Sequence, residues 1–460
     1  MTSVATRDTM TDQPFVGPNG HLWIEGVDSV DLATRFGTPL FVVSEQQVRS
    51  NVRRFRAAFE RHYPHVEVLF ANKVFNNLAI RHLMNSEGVG GDCFGETELY
   101  LSLLAGTPKD SIVLNGSSKS DVELSMAIDA GVSIILDSLE DLDRVASRCP
   151  PSRRLRLGVR AKLPLHSLET TPLGSQHFGP GSLSHQSLDN KWGVTHDDLL
   201  AIGERVRDDD RFELHELHYH LGRVTTDVAA FACVARELVA WAAALRDATG
   251  IVTPCVNAGG GWAVGRPEGH GPHGEDDAST PSFDDYASTV AKAINHACRE
   301  LDYPPPLLRL EPGRALVANA VTLLASVGTV KRHAGHKTWI NVDTSTNHLP
   351  RVRTSDWYHH MVVADRPSAQ ADTHADVVGP LCVIDTLGRD RGLPRIRRGD
   401  VLAILDAGAY TESAAANFNG QPRPATVLVD QDRVSVITER ERPSDIVRRY
   451  RVPPHLLAPR

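Results

Sequence analysis

Residues 66–138 read VEVLFANKVFNNLAIRHLMNSEGVGGDCFGETELYLSLLAGTPKDSIVLNGSSKSDVELSMAIDAGVSIILDS, and this stretch decides the fold. Short β-branched runs alternate with stretches whose apolar residues recur every three or four positions. The runs VEVLFA (66–71), VGGDCF (89–94), SIVLNG (111–116) and SIILDS (133–138) predict strands, and RLRLGVRA (154–161) continues them. The helical stretches between often end in Gly, a common helix stop. Ser120 with Glu123 predicts a capping box, and Ser138 with Asp141 a weaker one. Lys73, Asp92, Asn115, Asp137 and Arg160 each follow a strand, at separations of 19, 23, 22 and 23 residues. A strand–helix unit repeated every ~22 residues means parallel strands joined by helical crossovers. ELHELHYHLG (213–222), TPCVNAGG (253–260) and LLRLEPG (307–313) bring the strands to eight, the number of a TIM-type (β/α)8 barrel. A doubly wound open sheet is the competing architecture.

Outward from this core the texture changes. After Val317, VTLLASVGTVK, TWINVD, DVVGPLCVID, DVLAILDAG, ATVLVDQ and RVSVITER are strand-like and separated by turn residues. They predict a second, mostly antiparallel β domain. LFVVS (40–44) precedes the barrel and pairs with that domain in this reading. The expected organisation is a barrel over 45–315, a β-rich domain from 21–44 and 316–445, and a frayed tail over 1–20. Two stretches, 162–190 and 265–283, look like insertions. Their histidines (His166, His177, His185, His270, His273) lack ordered ligand spacing, so no metal site is expected.

Composition narrows the function. The chain has 460 residues, 41% hydrophobic and 23% charged, which excludes wholesale disorder. A net charge of −8 argues against a nucleic-acid partner. The six cysteines are too sparse for a disulfide scaffold or zinc ribbon and read as reduced thiols. No signal-like segment opens the chain, and no run reaches the ~20 apolar residues of a membrane span. A cytoplasmic protein without membrane association is therefore expected.

The strand ends carry the chemistry. Lys73, in FANKVF, sits among apolar residues, and partial desolvation there makes an amine a nucleophile toward a carbonyl. In isolation it also reads as a surface lysine. Alternation places His218 and His220 on one strand face, suiting a metal pair, a stacked ring or ordinary core histidines. Asn257-Ala-Gly-Gly-Gly-Trp lets backbone N–H groups approach a phosphate, though it is neither a dinucleotide fingerprint nor a Walker A loop. In Glu311-Pro312-Gly313-Arg314, the Arg suits an anion and the Glu a cationic ring nitrogen; a surface ion pair reads the same way. Lysine, stacking histidine, glycine cradle and glutamate are together the parts that pyridoxal 5'-phosphate (PLP) requires. In that site the Lys holds the aldehyde as a Schiff base and the Glu keeps the ring nitrogen protonated.

Through GTPLFVVSE, FANKVFNNLAI, GDCFGETELYLSLLAG, NKWGV, LHYHLG, NAGGGWAV, EPGRALVANA, VVGPLCVIDTLG and DAGAYTESAAANFNGQPRPATVLVD, the sequence resembles the fold-type III PLP decarboxylases. It is nearest to diaminopimelate decarboxylase, with ornithine and arginine decarboxylases as relatives. The resemblance implies an alanine racemase-like barrel plus a β domain, and decarboxylation of an amino acid. By position it implies that Lys73 is the Schiff-base lysine, supported by Asp92, with His220 on the PLP face. Gly259, Gly260, Gly261, Gly313 and Arg314 would hold the phosphate, and Glu311 would meet the pyridine nitrogen. Cys382 would protonate the carbanion in the partner subunit's site. Tyr410 would touch PLP or substrate across the dimer, and Arg314 and Arg351 would bind the substrate carboxylate. The implied assembly is a homodimer with shared active sites.

The departures concern substrate reading. The family's Cys-Glu-Ser-Gly-Asp is Cys382-Val383-Ile384-Asp385 here, one residue shorter and lacking the Glu that reads the distal amine. Ser355 stands where the family has a Tyr, and Arg223 where it has a Ser. A decarboxylase of a modified amino acid, such as a siderophore or antibiotic intermediate, is the second reading. A related racemase and a non-catalytic PLP-binding regulatory homologue follow behind.

Overall fold

The computed structural model describes residues 14–165, 188–221, 226–264, 280–333, 337–355 and 357–457. The insertion histidines, Arg223 and most of both insertions lie outside the described residues. The chain divides into two units, one running from Val48 to Val317 and the other formed by the chain on either side.

The first unit is a closed parallel barrel of eight strands: Val66–Ala71, Gly90–Phe94, Ile112–Asn115, Ser133–Leu136, Leu155–Arg160, Phe212–His218, Cys255–Asn257 and Leu307–Leu310. Each strand pairs with its sequence neighbour, and the eighth returns to the first, Leu308 opposite Val66. Closure removes the open-sheet alternative. The strands are near-continuous buried runs because helices cover the outside while side chains fill the inside. Leu69, Val113 and Ile135 form one such buried group.

The helices start where local chemistry dictates. Ser120 and Glu123 form the expected capping box at the head of Asp121–Ala130. Ser138 caps Leu139–Arg148 by accepting from the Asp141 N–H. Gly131 and Gly250 close two helices in the left-handed conformation. Helix Val228–Thr249 corrects one expectation, being long and apolar enough to cross a membrane. Its Phe231, Val234, Leu238 and Ala242 are buried, as in the core helix of a barrel.

In the second unit, strands Thr386–Leu393, Thr373–Val378, Thr338–Val342, Val321–Arg332, Leu40–Ser44, Ala425–Asp430 and Arg433–Thr438 lie side by side in that order. Val401–Ile404 also pairs with Val321–Arg332, and with Met361–Val363. Strand Leu40–Ser44 joins this sheet as expected, antiparallel to Val321–Arg332 and parallel to Ala425–Asp430. Leu22, Ile24, Leu40, Val42, Leu324, Val427 and Val429 form its core.

Two expectations change here. The tail is not frayed throughout, because Phe15–Val16 pairs with Leu22–Ile24. DVVGPLCVID is not one strand. It ends at Val378 because the buried Asp385 carboxylate gathers the chain: it accepts from the Thr346 N–H and hydroxyl at 2.8 Å and the Leu381 N–H at 3.1 Å. Cys382 thus lies on a loop.

Candidate active site

Seven polar side chains crowd the C-terminal ends of the barrel strands. Asn72–Val74 forms one tight turn after the first strand. Its Asn72 is buried and donates to the Ser102 hydroxyl at 3.0 Å, which fixes the turn. Lys73 then donates to Asp92 Oδ2 at 2.8 Å, with its own side chain 29% exposed and that of Asp92 fully buried. The Lys73 ammonium also lies over the Phe94 ring at 5.1 Å.

Asn115 ties the two carboxylates together, donating to Asp92 Oδ1 at 2.6 Å and Glu311 Oε1 at 3.4 Å. Their environments push them apart. Burial and then Glu311 raise the Asp92 carboxyl, with Lys73 opposing. Burial also opposes ionisation of Glu311, but His218, Lys73 and His220 outweigh it and hold that carboxyl far below its usual range. One site thus contains a permanent anion and a carboxyl readier to take a proton.

Register explains the remaining neighbours. Arg160, His218 and Asn257 stand side by side on strands five, six and seven. His218 Nε2 lies 3.3 Å from Glu311 Oε2, and Asn257 donates to Glu311 Oε1 at 2.8 Å. Strand six ends at His218, so His220 lies beyond it, where its Nδ1 accepts from the Gly260 N–H at 2.9 Å. Desolvation, Lys73 and Arg160 lower the His220 basicity, leaving a neutral ring. The two histidines therefore do not form a metal pair. Among the described residues no His, Cys, Asp and Glu cluster suits a metal ion.

Within the glycine run, Gly259 and Gly260 have no room for side chains. A Cβ on Gly259 would meet the Tyr219 carbonyl at 2.4 Å, and one on Gly260 the Glu311 carbonyl at 2.5 Å. Trp262 anchors the run, donating to the Gly259 carbonyl at 3.0 Å and stacking on Phe231 at 3.9 Å. A Cβ on Gly313 would strike Val74, beside Lys73, and Gly313 leads into the buried Arg314. This arrangement fits PLP. An amine, an anion and a neutral imidazole converge beside side-chain-free backbone, and Asn115 Oδ1 is buried with no protein partner.

The other three expected residues belong to the second unit. The Arg351 guanidinium lies 4.5 Å over the Tyr410 ring, and Tyr410 holds a left-handed backbone (φ 60°). Cys382 pairs with Asn419 instead, which accepts from the Cys382 N–H at 3.1 Å and donates to its sulfur at 3.2 Å. Of the six free cysteines, Cys382 is the exposed one; Cys93, Cys149, Cys255 and Cys298 are buried and Cys233 is half-buried.

Sequence reasoning marked Asn115 as a strand-end residue but gave it no role. Arg160, marked likewise only as a strand-end residue, stacks its guanidinium on Trp192 at 5.1 Å, and Asn257 was given no side-chain role. Asn419 was also missed. The available signal for the barrel residues was a polar side chain closing an apolar strand.

Comparison with known proteins accounts for this arrangement. Residues 45–318 match the pyridoxal binding domain of the pyridoxal-dependent decarboxylases. A diaminopimelate decarboxylase of Methanothermobacter thermautotrophicus is 34% identical, over 96% of this chain and 98% of that one. One from Bacillus subtilis is 29% identical, over 94% and 95%. A crystal structure of diaminopimelate decarboxylase from M. jannaschii in complex with L-lysine superposes with a TM-score of 0.83 at 29% identity, covering 99% of both chains. The chain belongs to the pyridoxal-dependent decarboxylases of amino acids, with PLP as its cofactor.

Proposed function

We propose that this enzyme releases the α-carboxyl group of a diaminopimelate-type amino acid as CO2. The observation that carries the reading is the chain Lys73–Asp92–Asn115–Glu311 across a closed barrel mouth. Full-length similarity to diaminopimelate decarboxylases supports the substrate class. A modified amino acid, the second reading of the sequence, draws no support from these relatives.

In this reading PLP, when bound, supplies an aldehyde for an amine and an electron sink for the carbon that loses CO2. Lys73 would hold the cofactor through its amine, and Asp92, 2.8 Å away, orients the lysine and takes up or returns its proton. Glu311, kept anionic, would hold the ring nitrogen protonated, and neutral His220 would pack on the ring face. Gly259, Gly260, Gly261, Gly313 and Arg314 would hold the phosphate. Arg314 and Arg351 bind substrate carboxylate, with Tyr410 against cofactor or substrate. Cys382 returns a proton to the carbon. The exposed Val383 and Ile384 beside it suit a contact with a second copy, so a homodimer with shared sites completes the proposal.

The test is CO2 release from meso-diaminopimelate, ornithine, lysine and arginine by the PLP-loaded enzyme. meso-Diaminopimelate should be turned over fastest. Faster release from any of the other three, or none from all four, overturns the substrate assignment.

A further inference from the structure

A charged chain runs beneath the barrel mouth. Arg309, buried on strand eight, donates from Nε and Nη2 to Glu67 Oε2 at 2.9 and 2.7 Å. Its Nη1 donates to Glu216 Oε2, on strand six. Glu216 is fully buried, and its other oxygen accepts from Asn257 Nδ2 at 3.1 Å. The same Asn257 nitrogen donates to Glu311 Oε1 at 2.8 Å. The Asn257 oxygen accepts from the Gly259 N–H at 2.9 Å. Both N–H groups and the oxygen of this amide are engaged, which fixes its orientation.

Packing alone does not call for these charges. Inward positions of such barrels are ordinarily filled by branched apolar residues, and a buried ion pair stabilises no better than an apolar set of equal volume. The fold nevertheless clears space for Glu216. A Cβ on its in-register neighbour Gly158 would meet Glu216 Cγ at 2.7 Å. Arg309 keeps Glu216 an acceptor, and an acceptor there obliges Asn257 to turn its NH2 toward both carboxylates. One hydrogen goes to Glu216 and the other to Glu311.

We propose that Glu216, held by Arg309, is a positioning residue that acts through Asn257 to aim and hold Glu311. The inference rests on the reading of Glu311 as the partner of the cofactor ring nitrogen. A Gln at 216 turns one of the two accepting oxygens into an NH2 donor, which then faces either Arg309 or Asn257, both donors.

The experiment compares the PLP-loaded wild type with Glu216→Gln, Glu311→Gln and the double variant. It follows the cofactor dissociation constant, the visible cofactor spectrum and steady-state kinetics. Glu216→Gln should weaken cofactor retention and lower kcat about tenfold each, the scale of one lost charge-assisted hydrogen bond, with KM within about twofold. In the Glu311→Gln background, Glu216→Gln should add nothing. Unchanged retention and kcat, or effects that multiply in the double variant, overturn the inference. A Glu311→Gln enzyme with unaltered spectrum and cofactor affinity overturns the underlying reading instead. If Glu216→Gln does not fold, Glu216→Leu with Arg309→Met keeps the barrel packed. It should show the same losses, and wild-type behaviour in it overturns the inference.

Discussion

The barrel mouth and the loops around Cys382 solve different problems with different materials. At the mouth, Asp92, Asn115, His218, Asn257 and Glu311 close parallel strands, are nearly all removed from water, and hydrogen-bond to one another. Around Cys382 the chain is loop, stitched by short links such as Asp385 to Thr346, Asn347 to the Phe418 carbonyl and Asn419 to Cys382. Val383 and Ile384 are 40% and 82% exposed. In the proposed reading, rigid strand ends fix a cofactor whose chemistry does not vary. Loops can be re-cut to read different substrates without disturbing it.

The comparison is broken most directly at Lys73. Lys73→Ala should abolish the yellow colour of the PLP-loaded enzyme and lower turnover on the order of 10⁴-fold, as removal of a catalytic nucleophile does. A yellow, active Lys73→Ala enzyme would show that the mouth does not hold the cofactor through this amine.

Cys382 tests the other side. Cys382→Ala should lower kcat by about 10²-fold, the scale of losing one general acid, and leave the yellow band and cofactor affinity unchanged. Loss of the band would mean that the loops also build the cofactor site, and the contrast between the regions would fail.

The same contrast governs what could be read from sequence. Most of the barrel strands are apolar runs buried on both faces, and the ~22-residue rhythm marked the rest, so all eight were visible. Lys73, His220, Glu311 and the glycines follow those runs directly. In the second unit, strands Met361–Val363 and Thr386–Leu393 escaped, the latter because TLGRDRGL has only two apolar side chains and no alternation. Cys382 was misplaced onto a strand because a single buried carboxylate, Asp385, turns the chain there. Tertiary hydrogen bonds of that kind leave no periodic trace. Asn257 and Glu216 escaped for a related reason: their meaning lies in the partner strand, not in their own.

Glu98 offers the smallest effect and bears on the burial half of the contrast. It accepts from the Phe94 N–H at 2.7 Å, under the ring on which the Lys73 ammonium rests. Burial chiefly, with Asp92 adding and the Phe94 N–H opposing, pushes its carboxyl up from 4.5 to about 7. A raised acid favours the folded state fully below its unfolded value. That contribution disappears as pH rises from about 4.5 through about 7. At pH 8 the fold therefore holds a charge it would rather shed, at a cost of about 3 kcal/mol or less. Glu98→Gln keeps an oxygen for the Phe94 N–H and removes the charge. Its melting temperature should exceed that of the wild type at pH 8 and match it at pH 5. An equal difference at both pH values would mean that Glu98 is solvated after all, and that the mouth is less dry than its burial implies.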